Sequence, residues 1–228
     1  MNDWKLALFT GLSQASGMED IIDTAAEAVR HHDFDYCGWK ILLSHPSIRQ
    51  KVLTVASADE DLYAHVVDNQ ASQPSSRTTL WAGMTRDELY AKAPELVDDD
   101  TTPDSVHSRW CHSARDTRTG AYCVFYANSL SPLSQEQLQR AAADLQWIAA
   151  AVHASMLYMP VRQDQTLTLR EQNVLTHIGN GMTIEEIADR MRLSLETTAF
   201  HMETAEYKLQ TPDPQQAVAK ALFFDLLD

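Results

Sequence analysis

Histidine and cysteine side chains near residue 110 are the first groups in the sequence that could do chemistry. His107, Cys111 and His112 are all metal-ligating residue types. On a strand, positions 107 and 111 point to one face and position 112 to the other, so the three side chains do not converge on one ion. The sequence also has no CxxC, HExxH, GxSxG, P-loop or GxGxxG motif. We therefore expect no metal, no cofactor and no enzymatic activity.

A polar helix near the C-terminus could instead contact nucleic acid. Reading DNA requires polar groups for the base edges and cations for the phosphates. The candidate contact residues lie just after Ser194: Thr197, Thr198, Ala199, Phe200, His201 and Glu203. The charge opposes this role, because the chain has 18 Lys+Arg against 32 Asp+Glu, and residues 161–228 have 6 against 11. An acidic protein repels phosphate at long range.

Capping signals divide residues 167–228 into four helices. Each helix opens on a residue type that caps N-termini: Thr168, Thr183, Ser194 and Asp213. The first two form capping boxes with a glutamate three residues later. Gly181 follows the first helix, where a left-handed residue is favoured, and a tight turn at 192–194 joins the second helix to the third. Two short helices joined by a tight turn and braced on both sides predict an all-α helix-turn-helix domain.

The preceding residues mix helix and strand patterns, which predicts an α+β domain over residues 1–160 and a polar linker over 161–166. Apolar spacing predicts helices over 3–15 and 18–32 and, after a Ser134 capping box, from 134 to about 158. Further helices are expected at Asp59–Gln70 and Thr85–Leu96, with a polar loop at Ala71–Thr79 between them. Strands are expected at Tyr36–Leu43, Val52–Ser57, Ser105–Ser113 and Ala121–Asn128.

The C-terminal residues resemble the LuxR-type helix-turn-helix. Sixteen residues match its pattern in register: Leu167, Thr168, Arg170, Glu171, Val174, Leu175, Gly181, Thr183, Glu186, Ile187, Ala188, Ser194, Thr197, His201, Lys208 and Leu209. The resemblance implies a scaffold built on Glu171, Leu175, Gly181, Ile187 and Ala188, with DNA contacted by the third helix. The sequence departs from the family at Ala199 and Glu203, where lysine is common, so we expect weakened DNA affinity. The alternative is compensation by Arg190, Arg192, Lys208 and Lys220.

The N-terminal domain resembles, more weakly, the acyl-homoserine-lactone-binding domain of LuxR-type quorum-sensing regulators, an α/β/α sandwich. The resemblance implies a ligand pocket with candidate residues Tyr36, Tyr63, Asp68, Trp81 and Trp110. The family's first tryptophan is replaced by Leu62, and no Asp-Pro pair lies between Asp68 and Trp81. We therefore expect a regulator that does not depend on a lactone, although an acyl-homoserine lactone or another small ligand remains the alternative.

Two apolar stripes are candidate dimerisation faces: Leu145, Ile148, Val152, Ala217, Ala221 and Phe224. Three sparse cysteines, and no run long enough for a membrane span, favour a cytoplasmic protein with no membrane partner. The sequence thus predicts a homodimeric regulator of quorum-sensing transcription with a weakened DNA-binding helix. The alternative is an antiactivator that does not bind DNA and inhibits a functional LuxR-type activator by forming a heterodimer.

Overall fold

The computed structural model describes residues 3–45, 48–57, 78–97, 105–116, 120–159 and 166–227. They belong to two compact units. Unit 1 comprises Met1–Ile41 and Thr54–Met159, and unit 2 comprises Leu42–Leu53 and Pro160–Asp228. The predicted linker at 161–166 lies almost wholly outside the described residues.

A five-stranded sheet organises unit 1, and the part of its first two strands within Leu42–Leu53 belongs to unit 2. Its strands are β1 (Tyr36–His45), β2 (Ile48–Ala56), β3 (Thr78–Gly83), β4 (Ser108–Arg115) and β5 (Tyr122–Ser129). The strand order is β2-β1-β5-β4-β3, in which β3 runs parallel and β5 antiparallel to β4. The mixed α+β class predicted from the sequence is confirmed.

Three long helices accompany the sheet in unit 1. They are α1 (Asp3–Gln14), α2 (Met18–Arg30) and α4 (Gln135–Leu157). The long helix α4 begins as predicted, because Ser134 accepts from the Gln137 backbone N–H and Gln137 accepts from that of Ser134. Trp39 Nε1–H donates to His153 Nδ1 at 2.7 Å, so the Trp39 side of β1 faces α4.

The segment around residue 90 differs from the prediction of one helix over Thr85–Leu96. The structure has β3, which the sequence patterns did not predict, then α3 (Arg86–Tyr90) and a 3-10 turn (Pro94–Leu96). The helix is short because Pro94 has no N–H to continue it and disfavours helical backbone at Ala93. The predicted helix Asp59–Gln70 lies outside the described residues. No helix of the described part of the chain is long and apolar enough to span a membrane.

Unit 2 contains the four predicted C-terminal helices: α5 (Leu169–Gly179), α6 (Ile184–Met191), α7 (Leu195–Leu209) and α8 (Pro214–Phe223). Their apolar faces meet in one core that includes Val174, Leu175, Ile187 and Leu209, each with no exposed surface. Ile48 joins the same core. This packing holds α6 and α7 in the helix-turn-helix arrangement.

Candidate nucleic-acid interface

The turn between α6 and α7 is made by a left-handed residue. Arg192 has φ of 55°, and Leu193 N–H donates back to the Ala188 carbonyl at 2.9 Å. Ser194 then caps α7 by accepting from the Thr197 backbone N–H at 3.1 Å. These local contacts fix where α7 starts, as the sequence predicts.

Four of the five predicted scaffold residues are buried, and the fifth, Gly181, follows the end of α5. Leu175 and Ile187 have no exposed surface, and Ala188 is 5% exposed. Gly181 has φ of 82°, a left-handed conformation that favours glycine after a helix end. Glu171 is buried and caps α5 by accepting from the Thr168 backbone N–H at 2.8 Å.

One side of α7 points away from the core of unit 2. Four exposed residues at helical spacing form it, and we call them the outer face: Glu196, Phe200, Glu203 and Tyr207. Phe200 is 62% exposed and Tyr207 is 84% exposed. The outer face therefore alternates carboxylates with aromatic rings and carries no cation.

Not all the predicted contact residues of α7 are available. Thr197, Ala199 and His201 are half-buried, whereas Phe200 and Glu203 are exposed. Thr198 has no exposed surface, and its hydroxyl donates to the Ser194 carbonyl at 3.0 Å. The prediction that Thr198 contacts DNA is wrong, because this side chain packs into the unit. Tyr207 was missed, although its spacing of four residues from Glu203 places it on the same side of a helix.

An open groove of about 470 Å³ lies along the outer face, between Phe200 and the two glutamates. Further along α7, burial raises the pKa of Glu206, and the nearby Asp213 and Glu203 carboxylates raise it further. A pKa raised by neighbouring carboxylates indicates a negative potential at this end of the helix. Such a surface repels phosphate.

Two of the four predicted compensating cations are not available to DNA. Lys208 Nζ donates to both oxygens of Glu171, at 3.0 and 2.7 Å, and Lys220 is only 4% exposed. Burial alone raises the pKa of Glu171, but the bonds from Lys208 and Thr168 outweigh burial and lower it. Arg190 and Arg192 are exposed.

The candidate ligand-pocket residues of unit 1 do not all share one face of the sheet. Trp81 lies beside Cys111, whereas Trp110 pairs with Ala127 on the opposite face because side chains alternate along a strand. Trp110 is fully buried and stacks on His112, with ring centroids 6.0 Å apart. Tyr63 and Asp68 lie outside the described residues.

Tyr36 lies on the Trp81 face. It is three positions from Trp39, whose side faces α4, so Tyr36 points to the other side of the sheet. Gly38 confirms this assignment, because a Cβ there would collide with the Tyr126 side chain, and Tyr126 pairs with Cys111 on the Trp81 side. Tyr36 and Trp81 therefore remain together as pocket candidates, without Trp110.

The residues predicted for dimerisation are buried within their own units. Leu145, Ile148, Val152, Ala217 and Ala221 have no exposed surface, and Phe224 is 8% exposed. The prediction that they form dimer faces is wrong, because both apolar stripes build intramolecular cores. The exposed side of α4, together with its C-cap residue Tyr158, carries a different stripe, which we call the outer stripe: Ala143, Trp147, Ala150, Ala154 and Tyr158. The exposed Phe9 of α1 contacts it, with ring centroids of Phe9 and Trp147 5.2 Å apart.

Comparison with known proteins identifies the helical part of the chain. The family model described as bacterial regulatory proteins, luxR family, matches residues 165–221. The transcriptional activator protein SolR of Ralstonia nicotianae is 29% identical over 220 residues, which cover 89% of each chain. The transcriptional repressor ThaA of Burkholderia thailandensis is 21% identical over 219 residues, which cover 91% of each chain.

Two solved structures are also similar. SdiA of Escherichia coli is 17% identical with a TM-score of 0.42, covering 99% of this chain and 98% of that one. CepR2 of Burkholderia cenocepacia, an N-acylhomoserine-lactone-dependent LuxR-family protein, is 18% identical with a TM-score of 0.44, covering 67% of this chain and 93% of that one. These two curated relatives are a transcriptional activator and a transcriptional repressor. The helical part of the chain therefore matches the luxR family of bacterial regulatory proteins over residues 165–221, and 89% of the chain is similar to a transcriptional activator.

Proposed function

We propose that this protein is a regulator related to quorum-sensing proteins whose helix-turn-helix binds DNA with weakened affinity. The observation that carries the proposal is the outer face of α7, which presents Glu196 and Glu203 where a DNA-binding helix needs cations. The capture of Lys208 by Glu171 and the burial of Lys220 remove two further cations.

The exposed cations of the described helices set the expected strength of binding. Arg170, Arg190 and Arg192 are exposed in unit 2, so a dimer offers six such arginines. Each neutralised phosphate contributes roughly 0.9 to the slope of log affinity against log salt, so six contacts give a slope of about −5. Restoring one cation per subunit steepens the slope by roughly 2.

The experiment introduces the missing cations on α7. Ala199→Lys with Glu203→Lys should increase the affinity for a mixed-sequence DNA duplex and steepen its salt dependence between about 50 and 200 mM. The matched control is Glu27→Lys with Ala91→Lys, which changes the net charge equally at two exposed positions of unit 1. An equal gain in both variants, or no gain in the α7 variant, would refute the charge argument.

We also propose that the protein folds without a lactone. The candidate pocket residues Trp81 and Trp110 lie on opposite faces of the sheet, so they cannot line one cavity together. The protein should therefore be obtained folded from cells that make no acyl-homoserine lactone. A strict requirement for added lactone during expression would overturn this part of the proposal.

The outer stripe of α4 supports a homodimer. When two copies of α4 pack antiparallel about the point between Ala150 and Ala151, Trp147 lies opposite the partner's Ala154, and Tyr158 lies opposite the partner's Ala143. Each large ring thus meets a small residue, and the surface is complementary to itself, as a two-fold interface requires. The antiactivator alternative relied on the two buried stripes and no longer has that support.

A further inference from the structure

The outer face of α7 has a composition suited to a protein ligand. We propose that it docks an arginine-rich segment of a partner protein. The inference deepens the proposed function, because it assigns a positive use to the same face that weakens DNA binding. Glu196, Phe200, Glu203 and Tyr207 carry it.

Exposed apolar side chains concentrate on this helix. Among the described residues of unit 2, the large hydrophobic side chains with high exposure are Leu169, Leu195, Phe200 and Tyr207, and three of these four belong to α7. Single exposed apolar residues are ordinary, but several on one helix mark an interaction surface. Aromatic residues are also the commonest residues that dominate binding at protein interfaces.

The charges around these rings select a cationic partner. Glu196 and Glu203 lie four and three residues from Phe200, on the same side of the helix. Asp213 and Glu203 both raise the pKa of Glu206, in addition to burial, so the negative potential extends toward the end of α7. Lys208, the one cation on α7, is already held by Glu171. Phosphate is repelled here, and a basic protein segment is attracted.

Arginine fits this arrangement better than lysine. A guanidinium can lie flat on an aromatic ring while donating to a carboxylate, whereas the lysine ammonium contacts a ring only as a compact charge without a planar face. The open groove of about 470 Å³ beside Phe200 is lined by Glu196 and Glu203 and can admit a planar side chain. Unit 1 shows a related arrangement with a neutral acceptor, since Arg109 lies 5.3 Å from the centre of the Tyr126 ring and donates to the side-chain amide oxygen of Asn128.

The spacing of the two rings defines the partner segment. Phe200 and Tyr207 are seven residues apart, or about 10 Å along the helix. Two arginines seven residues apart on a helix match that distance. The probe is therefore a labelled, acetylated, alanine-based helical peptide with two arginines at this spacing, together with its lysine counterpart.

Fluorescence anisotropy with the full chain tests the proposal. Phe200→Ala and Glu203→Gln should each weaken binding of the arginine peptide by about three- to fivefold, and the lysine peptide should bind wild type a few times more weakly. The matched control Glu27→Gln removes an equally exposed carboxylate from unit 1 and should change affinity by less than about twofold. Circular dichroism checks that each variant is folded. We expect both to fold, because Phe200 and Glu203 are exposed.

Three results would overturn the docking proposal. The first is that the arginine peptide does not bind. The second is that Phe200→Ala binds it as tightly as wild type does. The third is that Glu203→Gln and Glu27→Gln lose the same amount of affinity for it. The last result would mean that net charge alone attracts the peptide. Failure here is separable from failure of the proposed function, because Glu203→Lys would still increase DNA affinity if only the docking proposal were wrong.

Discussion

The ion pair between Lys208 and Glu171 provides a direct test of how unit 2 is stabilised. Lys208→Met leaves a carboxylate that is 5% exposed without its cation, while the bond from the Thr168 backbone N–H remains. Removing one partner of a buried pair costs about 3–5 kcal/mol, and the 26% exposure of Lys208 reduces that cost. We expect a loss of about 2–3 kcal/mol in the free energy of unfolding of unit 2.

The tryptophan positions allow each unit to be followed separately in the full chain. All five tryptophans lie in unit 1, so their fluorescence reports only on that unit, whereas far-ultraviolet circular dichroism reports on both. During urea unfolding, the dichroism change that has no matching fluorescence change reports on unit 2. In Lys208→Met this transition should move to a lower urea concentration. The control Arg170→Met removes an exposed neighbouring cation and should change stability by less than about 0.5 kcal/mol.

The pH dependence has a defined sign. The pKa of Glu171 is lowered in the folded state, because the bonds from Lys208 and Thr168 outweigh burial. The stabilisation is therefore present above the ordinary glutamate value of 4.5 and is lost as pH falls through the folded-state pKa. The difference between wild type and Lys208→Met should shrink at acidic pH. A loss below about 0.5 kcal/mol at neutral pH, or an equal shift of the fluorescence transition, would refute the reasoning.

Three further predictions concern a turn, an interface and a buried histidine. Gln210 has φ of 53°, so Gln210→Gly should stabilise unit 2 by about 0.5–1 kcal/mol in urea unfolding, and a loss of stability would count against strain at this residue. Trp147→Ala should shift the protein toward the monomer in light scattering. Ala154→Trp should do the same, because the new ring fills the space that receives Trp147 of the other copy. An unchanged molar mass in both variants would exclude the outer stripe as the interface. Burial, with a smaller contribution from His112, lowers the pKa of His153 to about 3, so unit 1 should lose stability as pH falls from about 6.5, by up to about 1.4 kcal/mol per pH unit. The glutamine of His153→Gln can still accept from Trp39 through its amide oxygen but does not titrate. The stability of this variant, measured by tryptophan fluorescence, should therefore no longer fall with pH in this range. If the pH dependence is retained, another group causes it.

Local chemistry made the helix-turn-helix predictable from the sequence. Thr168, Thr183 and Ser194 each satisfy backbone N–H groups within three residues, so their sequence context was sufficient to locate the helix starts. Strand β3 was missed because its stability comes from pairing with β4, about thirty residues later in the chain.

The direction of helix faces and the pairing of charges were less predictable. Helix α4 carries apolar residues on both sides, so spacing alone could not distinguish the buried Leu145 from the exposed Trp147. Counting charges also treated Lys208 and Lys220 as free cations, whereas Glu171 holds the first and the fold buries the second. Both errors have one cause. Which side chains are buried or paired depends on the tertiary fold, and spacing along the sequence does not specify it.

The most direct test of the central claim is the salt dependence of DNA binding by the wild-type protein. The measurement is the affinity for a labelled duplex of mixed sequence, followed by anisotropy from about 50 to 200 mM salt. With three exposed arginines among the described residues of unit 2 in each subunit, and an acidic outer face on α7, the account predicts a slope of about −5 or shallower. A slope of about −7 or steeper would require more phosphate contacts than these six arginines of a dimer provide, and would contradict the claim that this face weakens DNA binding.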